Sequence, residues 1–224
     1  MQKPYENIRI IETADGSHTL YNESLDEHYH SKHGSIQESL HVFIEMGLKP
    51  MLNAKGIISL LEIGFGTGLN ALLTGFNRGK LKLDYVALEP FPVQDKLLNS
   101  LNYIKQIGIQ NEQLYKAIHQ ADWNAWIEIL KGFRLIKVQE TIQEYEPDLL
   151  FDLIYFDAFA PRPQPEMWKE DIFQKCHELM AKDGILVTYC AKGEVRRTMQ
   201  DCGFEVERLP GPPGKREMLR AKKI

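Results

Sequence analysis

The sequence predicts an α/β fold in which a doubly wound, mostly parallel sheet is finished by an antiparallel edge pair. Three observations carry that expectation. Short apolar runs recur along the chain with helical stretches between most of them, one run enters a glycine-rich turn, and the last two runs are joined by prolines and glycines instead of a crossover helix. The chain has 224 residues, 43% of them hydrophobic and 26% charged. That is enough to bury roughly 70% of the unfolded surface around one core. One domain over residues 1–224 is expected, made of an N-terminal hairpin and helix over 1–50 and a sheet-based core over 51–224.

Taken in order, Ile8 to Asn22 alternates apolar and polar residues around Asp15-Gly16, a dipeptide suited to the positive φ of a tight hairpin turn. From Ser35 to Gly47, the residues Ile36, Leu40, Phe43 and Ile44 follow helical spacing, and Gly47 is placed to end that helix in the left-handed conformation. Ile57 to Ile63, Tyr85 to Leu88, Leu135 to Val138, Leu153 to Phe156 and Ile185 to Tyr189 read as buried strands of a sheet covered on both faces. Trp123 and Trp126, three apart, read as packing positions on a helix. Phe204 to Leu209 and Met218 to Ala221 flank Pro210-Gly211-Pro212-Pro213-Gly214 and supply the antiparallel pair.

Composition removes several classes. No run approaches the ~18 apolar residues of a membrane span, and the opening MQKPYENIRIIE lacks the apolar core of a signal peptide. A cytoplasmic protein without a membrane partner is expected, as a monomer or a weak homodimer. Cys176, Cys190 and Cys202 are odd in number and form no close pair, against both a disulfide framework and a thiolate metal site. His28, His30 and His33 surround Tyr29 with no matching ligand set, so they read as a lid or a polar loop and no metal is expected. The net charge is -4, yet from Lys192 onward nine Lys and Arg face five Asp and Glu, leaving +4 on the tail and -8 before it. Lys192, Arg196, Arg197, Lys215 and Arg216 are therefore candidates for phosphate contact, with ordinary surface solvation as the plain alternative.

The chemistry concentrates at Glu62-Ile63-Gly64-Phe65-Gly66-Thr67-Gly68, where a strand meets a turn and Leu69 onward reads as helix. Glycines let the backbone approach a ligand closely, and the helix start offers free N–H groups. Glu89 ends the next strand, where a carboxylate can accept both hydrogen bonds of a ribose diol. Dinucleotide sites space their glycines as G-x-G-x-x-G to seat a pyrophosphate. Here the third glycine comes one residue earlier, and Glu62 stands beside the loop. That pattern disfavours a nicotinamide-dependent reductase and suits a cationic ligand, with S-adenosylmethionine the expected cofactor on a Rossmann-like sheet of the class I methyltransferase type. A second site follows, because the strand ending at Phe156 delivers Asp157 to the carboxyl edge of the sheet, ahead of a loop stiffened by Pro163 and Pro165. The alternative is that Asp157 caps a following helix.

Several segments resemble the methyltransferase domain of the bifunctional tRNA-modification protein MnmC and its stand-alone MnmD-type relatives. They are Glu62 to Asn70; Phe156-Asp157-Ala158-Phe159-Ala160-Pro161 with Pro165-Glu166-Met167-Trp168; Val195-Arg196-Arg197; and Gly214-Lys215-Arg216-Glu217-Met218-Leu219. Tyr29-His30-Ser31 and the segment from Glu38 to Phe43 resemble the family's Tyr-x-Ser and Glu-Thr-x-x-Val-Phe segments. The resemblance implies N-methylation of 5-aminomethyl(-2-thio)uridine at the wobble position of tRNA. It implies a cofactor site of Glu62, Gly64, Phe65, Gly66, Thr67, Gly68, Asn70, Glu89 and Asp157, with Asp157 and Phe159 facing the amine and its base. Tyr29, Ser31 and Glu38 join the tail cations on the substrate side. Where the family's third strand ends in Gly-Asp, this chain has Gln139-Glu140-Thr141, so Glu140 or a backbone group takes the adenine contact. The family's bifunctional members also carry an oxidase domain of a length this sequence lacks, which predicts action on the aminomethyl form alone. Competing readings are methylation of a protein or a small amine, aminopropyl transfer, and a non-catalytic adenosylmethionine-binding or RNA-binding module.

Overall fold

A computed structural model describes residues 7–54, 56–108 and 112–224. The first six residues, which belong to the expected extension, lie outside them. Strands β1 (Ile8–Glu12), β2 (His18–Asn22) and β3 (Glu27–His28) form a small antiparallel sheet. The expected hairpin is present, with Gly16 at φ 78° in its turn, and β3 extends it beyond the sequence reading. Helix α1 (Ser35–Ser39) runs without a break into a wider π-helical stretch, Leu40–Leu48. Gly47 does not end it. A Cβ there would lie 3.0 Å from both Tyr155 Cε1 and Val187 Cγ2, so this glycine lets the helix pack directly on the sheet.

The core follows as β4 (Ile57–Ile63), α2 (Leu69–Asn77), β5 (Lys82–Leu88), α3 (Asp95–Leu98), α4 (Tyr103–Ile107), α5 (Glu112–Gln120), β6 (Ile127–Leu130), β7 (Phe133–Val138) and β8 (Phe151–Phe156). It closes with α6 (Glu170–Leu179), β9 (Met180–Thr188), α7 (Gly193–Asp201), β10 (Phe204–Pro210) and β11 (Glu217–Lys223). These strands make one eight-stranded sheet in the order β10-β11-β9-β8-β4-β5-β7-β6. The interior pairs are parallel, whereas β10, β11 and β6 run antiparallel to their neighbours.

Period-two alternation sorts the strand residues between two buried cores. Leu60, Tyr85, Leu153, Tyr155 and Val187 face the layer made by the π-helical stretch, α2 and α5, while Leu61, Val86, Ile154, Phe156 and Leu186 face the layer made by α6 and α7. The doubly wound sheet and its antiparallel C-terminal pair are as the sequence predicts. The tryptophans are not on a helix: α5 ends at Gln120, Trp123 bridges to Lys137 while packing against the core as expected, and Trp126 is exposed ahead of β6 beneath the guanidinium of Arg134 at 5.0 Å. Spacing of three suits a helix, but a glycine-free turn into an edge strand produces it equally well.

Candidate active site

The strand order places β4 between β5 and β8, and a crevice opens past the carboxyl ends of these strands, where open α/β sheets hold their ligands. The turn after β4 folds back on both neighbours. The N–H groups of Gly64 and Phe65 donate to Leu88 O at 3.1 Å, and Asp157 N–H donates to Ile63 O at 3.0 Å. Gly64 has φ 92°, and a Cβ on it would stand 2.6 Å from Asp157 O. Only glycine lets the two strand ends approach this closely. Gly66 is similarly tight against the Tyr29 ring, 3.2 Å from where its Cβ would be.

The cavity is lined by Gly64, Phe65, Gly66 and Thr67, by Glu89, whose carboxylate accepts the Gly66 N–H, and by Glu140, Thr141 and Ile142. Asp157, Phe159 and Met167 line it as well, together with Tyr29, His28 and His30. His28 and His30 of the histidine-rich segment thus border the pocket, and His33 does not. Burial pushes His30 down to about 4, so it is neutral there at physiological pH. No group of three or more potential metal ligands occurs among the described residues.

Among the described residues, four carboxylates line this cavity, Glu89, Glu140, Asp157 and Glu166, and no lysine or arginine does. Such a wall repels pyrophosphate and attracts a cation. Each oxygen of Glu89 accepts one backbone N–H, from Gly66 at 2.9 Å and from Phe91 at 3.0 Å, which fixes the carboxylate while leaving lone pairs for a ribose diol. These features fit S-adenosylmethionine, whose ribose Glu89 would hold and whose positive charge the wall would balance.

Burial pushes Glu89 up to about 7 despite those two N–H groups, which act to lower it. The sign of the linkage is set by the raised value: the folded state holds the proton more tightly, so the stability from this group is complete below about pH 4.5 and is lost as pH rises through about 7. Ligand-free protein is expected to lose roughly 3 kcal/mol across that window through Glu89. Urea midpoints measured against pH should decline less in Glu89→Gln, and equal declines would exclude Glu89 as the source.

Glu62 does not reach the cavity. It is fully buried, its oxygens accepting from Asn70 Nδ2 at 2.9 Å and from the Tyr85 hydroxyl at 2.9 Å, and burial raises it well above the usual carboxylate range. The expected attraction to the cofactor's amino group is therefore corrected, because β4 turns this side chain inward toward Tyr85. Asn70, also outside the lining, donates to Asp157 Oδ2 at 2.8 Å. Its own Oδ1 is buried with no partner among the described residues. Gly68 starts α2 in the left-handed conformation at φ 72° and packs under His119 and Phe65.

Asp157 caps no helix, since a loop follows it. Half-buried, it is pushed up to about 7 by burial and by Glu38, while Asn70 and Lys215 act to lower it. The main chain after it is pinned at three points. Tyr189 OH donates to Ala158 O at 2.9 Å, Phe159 N–H donates to Gln164 Oε1 at 3.1 Å, and Trp168 Nε1 donates to Phe159 O at 2.7 Å. Phe159 meets Tyr29 edge-on with centroids 5.0 Å apart. Sequence reasoning gave Tyr189 no role beyond ending a strand and did not single out Gln164. It noted Trp168 only within a motif.

The remaining residues separate from the cavity. Ser31 and Glu38 join one another, Ser31 N–H donating to Glu38 Oε2 at 2.8 Å, and Lys215 Nζ lies 2.5 Å from Glu38 Oε1. Lys192 lies 3.6 Å from Glu194. Arg196 is half-buried with Nε unbonded among the described residues, whereas Arg197 and Arg216 are exposed. The structure thus brings the loop, Glu89, Glu140, Asp157, Phe159 and Tyr29 around one space and leaves the tail cations outside it.

A family model described as S-adenosyl-L-methionine-dependent methyltransferase matches residues 109–224. Among curated relatives, the protein named tRNA 5-methylaminomethyl-2-thiouridine biosynthesis bifunctional protein MnmC from Ectopseudomonas mendocina is 32% identical over 210 residues, 85% of this chain and 31% of that protein. Its namesake from Paraburkholderia xenovorans is 28% identical over 221 residues, 90% of this chain and 33% of that protein. The chain spans about a third of the length of these relatives. The crystal structure of MNMC2 from Aquifex aeolicus shares the fold, with a TM-score of 0.76 at 24% identity over 96% of this chain and 70% of that one. No helix among the described residues is long and apolar enough to cross a membrane. The chain belongs to the S-adenosyl-L-methionine-dependent methyltransferase family and is an enzyme related to the methyltransferase domain of MnmC.

Proposed function

We propose that this chain methylates the exocyclic amine of 5-aminomethyl(-2-thio)uridine at the tRNA wobble position, working in the cytoplasm. The observation that carries the reading is the acidic cavity in which Asp157 faces the glycine turn, with Phe159 and Tyr29 at its side. The names of the relatives supply the substrate class. S-adenosylmethionine supplies an electrophilic methyl group and leaves as a neutral thioether. Glu89 and the backbone around Gly66 would hold it, and Glu140 with Thr141 and Ile142 would border its adenine. Phe159 would stack on the splayed uracil, as aromatic rings do with single-stranded RNA bases.

The amine nitrogen forms its bond to the methyl carbon as the carbon–sulfur bond breaks, so alignment at about 3 Å is the main task of the protein. The nitrogen needs a free lone pair beforehand and must shed a proton. An ordinary aspartate would accept that proton from a lysine-like amine only at a cost of about 9 kcal/mol. With Asp157 at about 7, the cost falls to about 5 kcal/mol. The same carboxylate can thus orient the amine through one oxygen and carry its proton to solvent, while Asn70 holds the other.

The test incubates the purified chain with S-adenosylmethionine and tRNA whose wobble uridine is unmethylated, followed by nucleoside mass spectrometry. The expected product is the 5-methylaminomethyl nucleoside. Transfer to a polyamine or a protein lysine with tRNA untouched would refute the assignment.

A further inference from the structure

Polar and titratable groups from several elements bear on Asp157. Asn70 of α2 donates to it, and behind Asn70 lie Glu62 of β4 and Tyr85 of β5. Tyr189, just past β9, lines the same cavity. Two further groups act on it electrostatically, Glu38 on α1 and Lys215 in the turn between β10 and β11.

The ammonium of Lys215 is committed on two sides. It lies 2.5 Å from Glu38 Oε1 and 3.8 Å from the centre of the Tyr189 ring. The second Glu38 oxygen accepts the Ser31 N–H, next to His28, Tyr29 and His30, which line the cavity. Tyr189 in turn bonds the carbonyl of Ala158, the residue after Asp157. With side-chain exposures of 8% for Glu38 and 32% for Lys215, the pair is screened far less than a surface pair. It is poorly available to a phosphate.

We propose that Glu38 and Lys215 are positioning residues for methyl transfer, an opposed charge pair clamped between the two ends of the chain that sets how readily Asp157 exchanges a proton with the amine. Its catalytic meaning rests on the proposed amine substrate, but its electrostatic content does not. Glu38 acts to keep a proton on Asp157, and Lys215 acts to release it. Removing either partner leaves the other charge unbalanced beside the carboxylate. The two removals must therefore displace Asp157 in opposite directions, which loss of a purely structural tie would not do.

The experiment labels aspartate carboxyls with carbon-13 in the full, cofactor-free chain and identifies Asp157 by the signal missing from Asp157→Asn. The midpoint is expected to rise by at least about half a unit in Lys215→Met and to fall by about as much in Glu38→Gln. The double variant should return near the wild type, and Lys215→Arg should stay close to it. Should Lys215→Met not fold, Lys215→Gln carries the same expectation. Midpoints that stay put, or move in one direction in both variants, overturn the proposal whatever the substrate is. Opposite shifts in a protein inactive on tRNA would uphold the pair while sinking the wobble-uridine reading. A raised KM for tRNA in Lys215→Met with an unmoved midpoint would instead assign Lys215 to phosphate binding, against the proposal.

Discussion

Asp157→Asn is expected to lower methyl transfer by about 10²–10⁴-fold at saturating cofactor, the range for loss of a positioned acid or base. The substitution keeps the side chain's volume. Its Oδ1 can still accept the Asn70 N–H that Asp157 Oδ2 accepts at 2.8 Å, so the loop stays in place. What disappears is an acceptor able to take the amine's proton. Cofactor affinity, measured by calorimetry, should stay within about threefold, because Glu89 and the glycine turn are untouched. Unchanged turnover would remove Asp157 from the chemistry. A large fall in cofactor affinity would instead make it a binding group.

Gly64→Ala should be nearly as damaging, through a different cause. A Cβ would meet Asp157 O at 2.6 Å and its carbonyl carbon at 3.2 Å, and both are main-chain atoms of a buried strand end that cannot move aside cheaply. The positive φ of 92° adds strain. Together these should cost about 2–4 kcal/mol of stability and, by parting β4 from β8, weaken cofactor binding by about a hundredfold or more. Gly79 provides the comparison, since it also has positive φ, 59°, but nothing stands within 4 Å of its Cβ position. Gly79→Ala should cost about 1 kcal/mol and leave cofactor binding intact. Equal effects at the two positions would show that conformational strain alone, without the contact, explains the loss.

The sheet is legible in the sequence because its interior strands are apolar on both faces, and neighbours such as Leu60 and Leu61, or Leu153 and Ile154, are divided between two cores. The antiparallel end is legible because Pro210 to Gly214 leaves no room for a helix. Features that depend on a partner are not. Trp126 sits before an edge strand whose register is set by Arg134 and β7, and Gly47 is read as a stop only because Tyr155 and Val187, which require its missing side chain, are remote in sequence.

The same division holds at the site. Glycine spacing and strand ends locate the cavity, since backbone geometry is local. Whether a carboxylate faces inward is decided by distant donors: Tyr85 lies 23 residues from Glu62, and Lys215 lies 177 from Glu38. A lysine in a basic tail reads as a contact for RNA until its counter-ion is known. Tyr189 ends an apolar run and gives no sign that its hydroxyl braces Ala158.

That no lysine or arginine among the described residues lines the cavity also bears on turnover. A methylated product leaves behind a spent donor that carries no charge at sulfur. Glu89, near 7, then has less reason to stay ionised and can take up a proton from water, relaxing its hold. The lining that recruits a fresh donor is thereby biased against retaining the used one, and by-product inhibition should ease as the medium becomes more acidic.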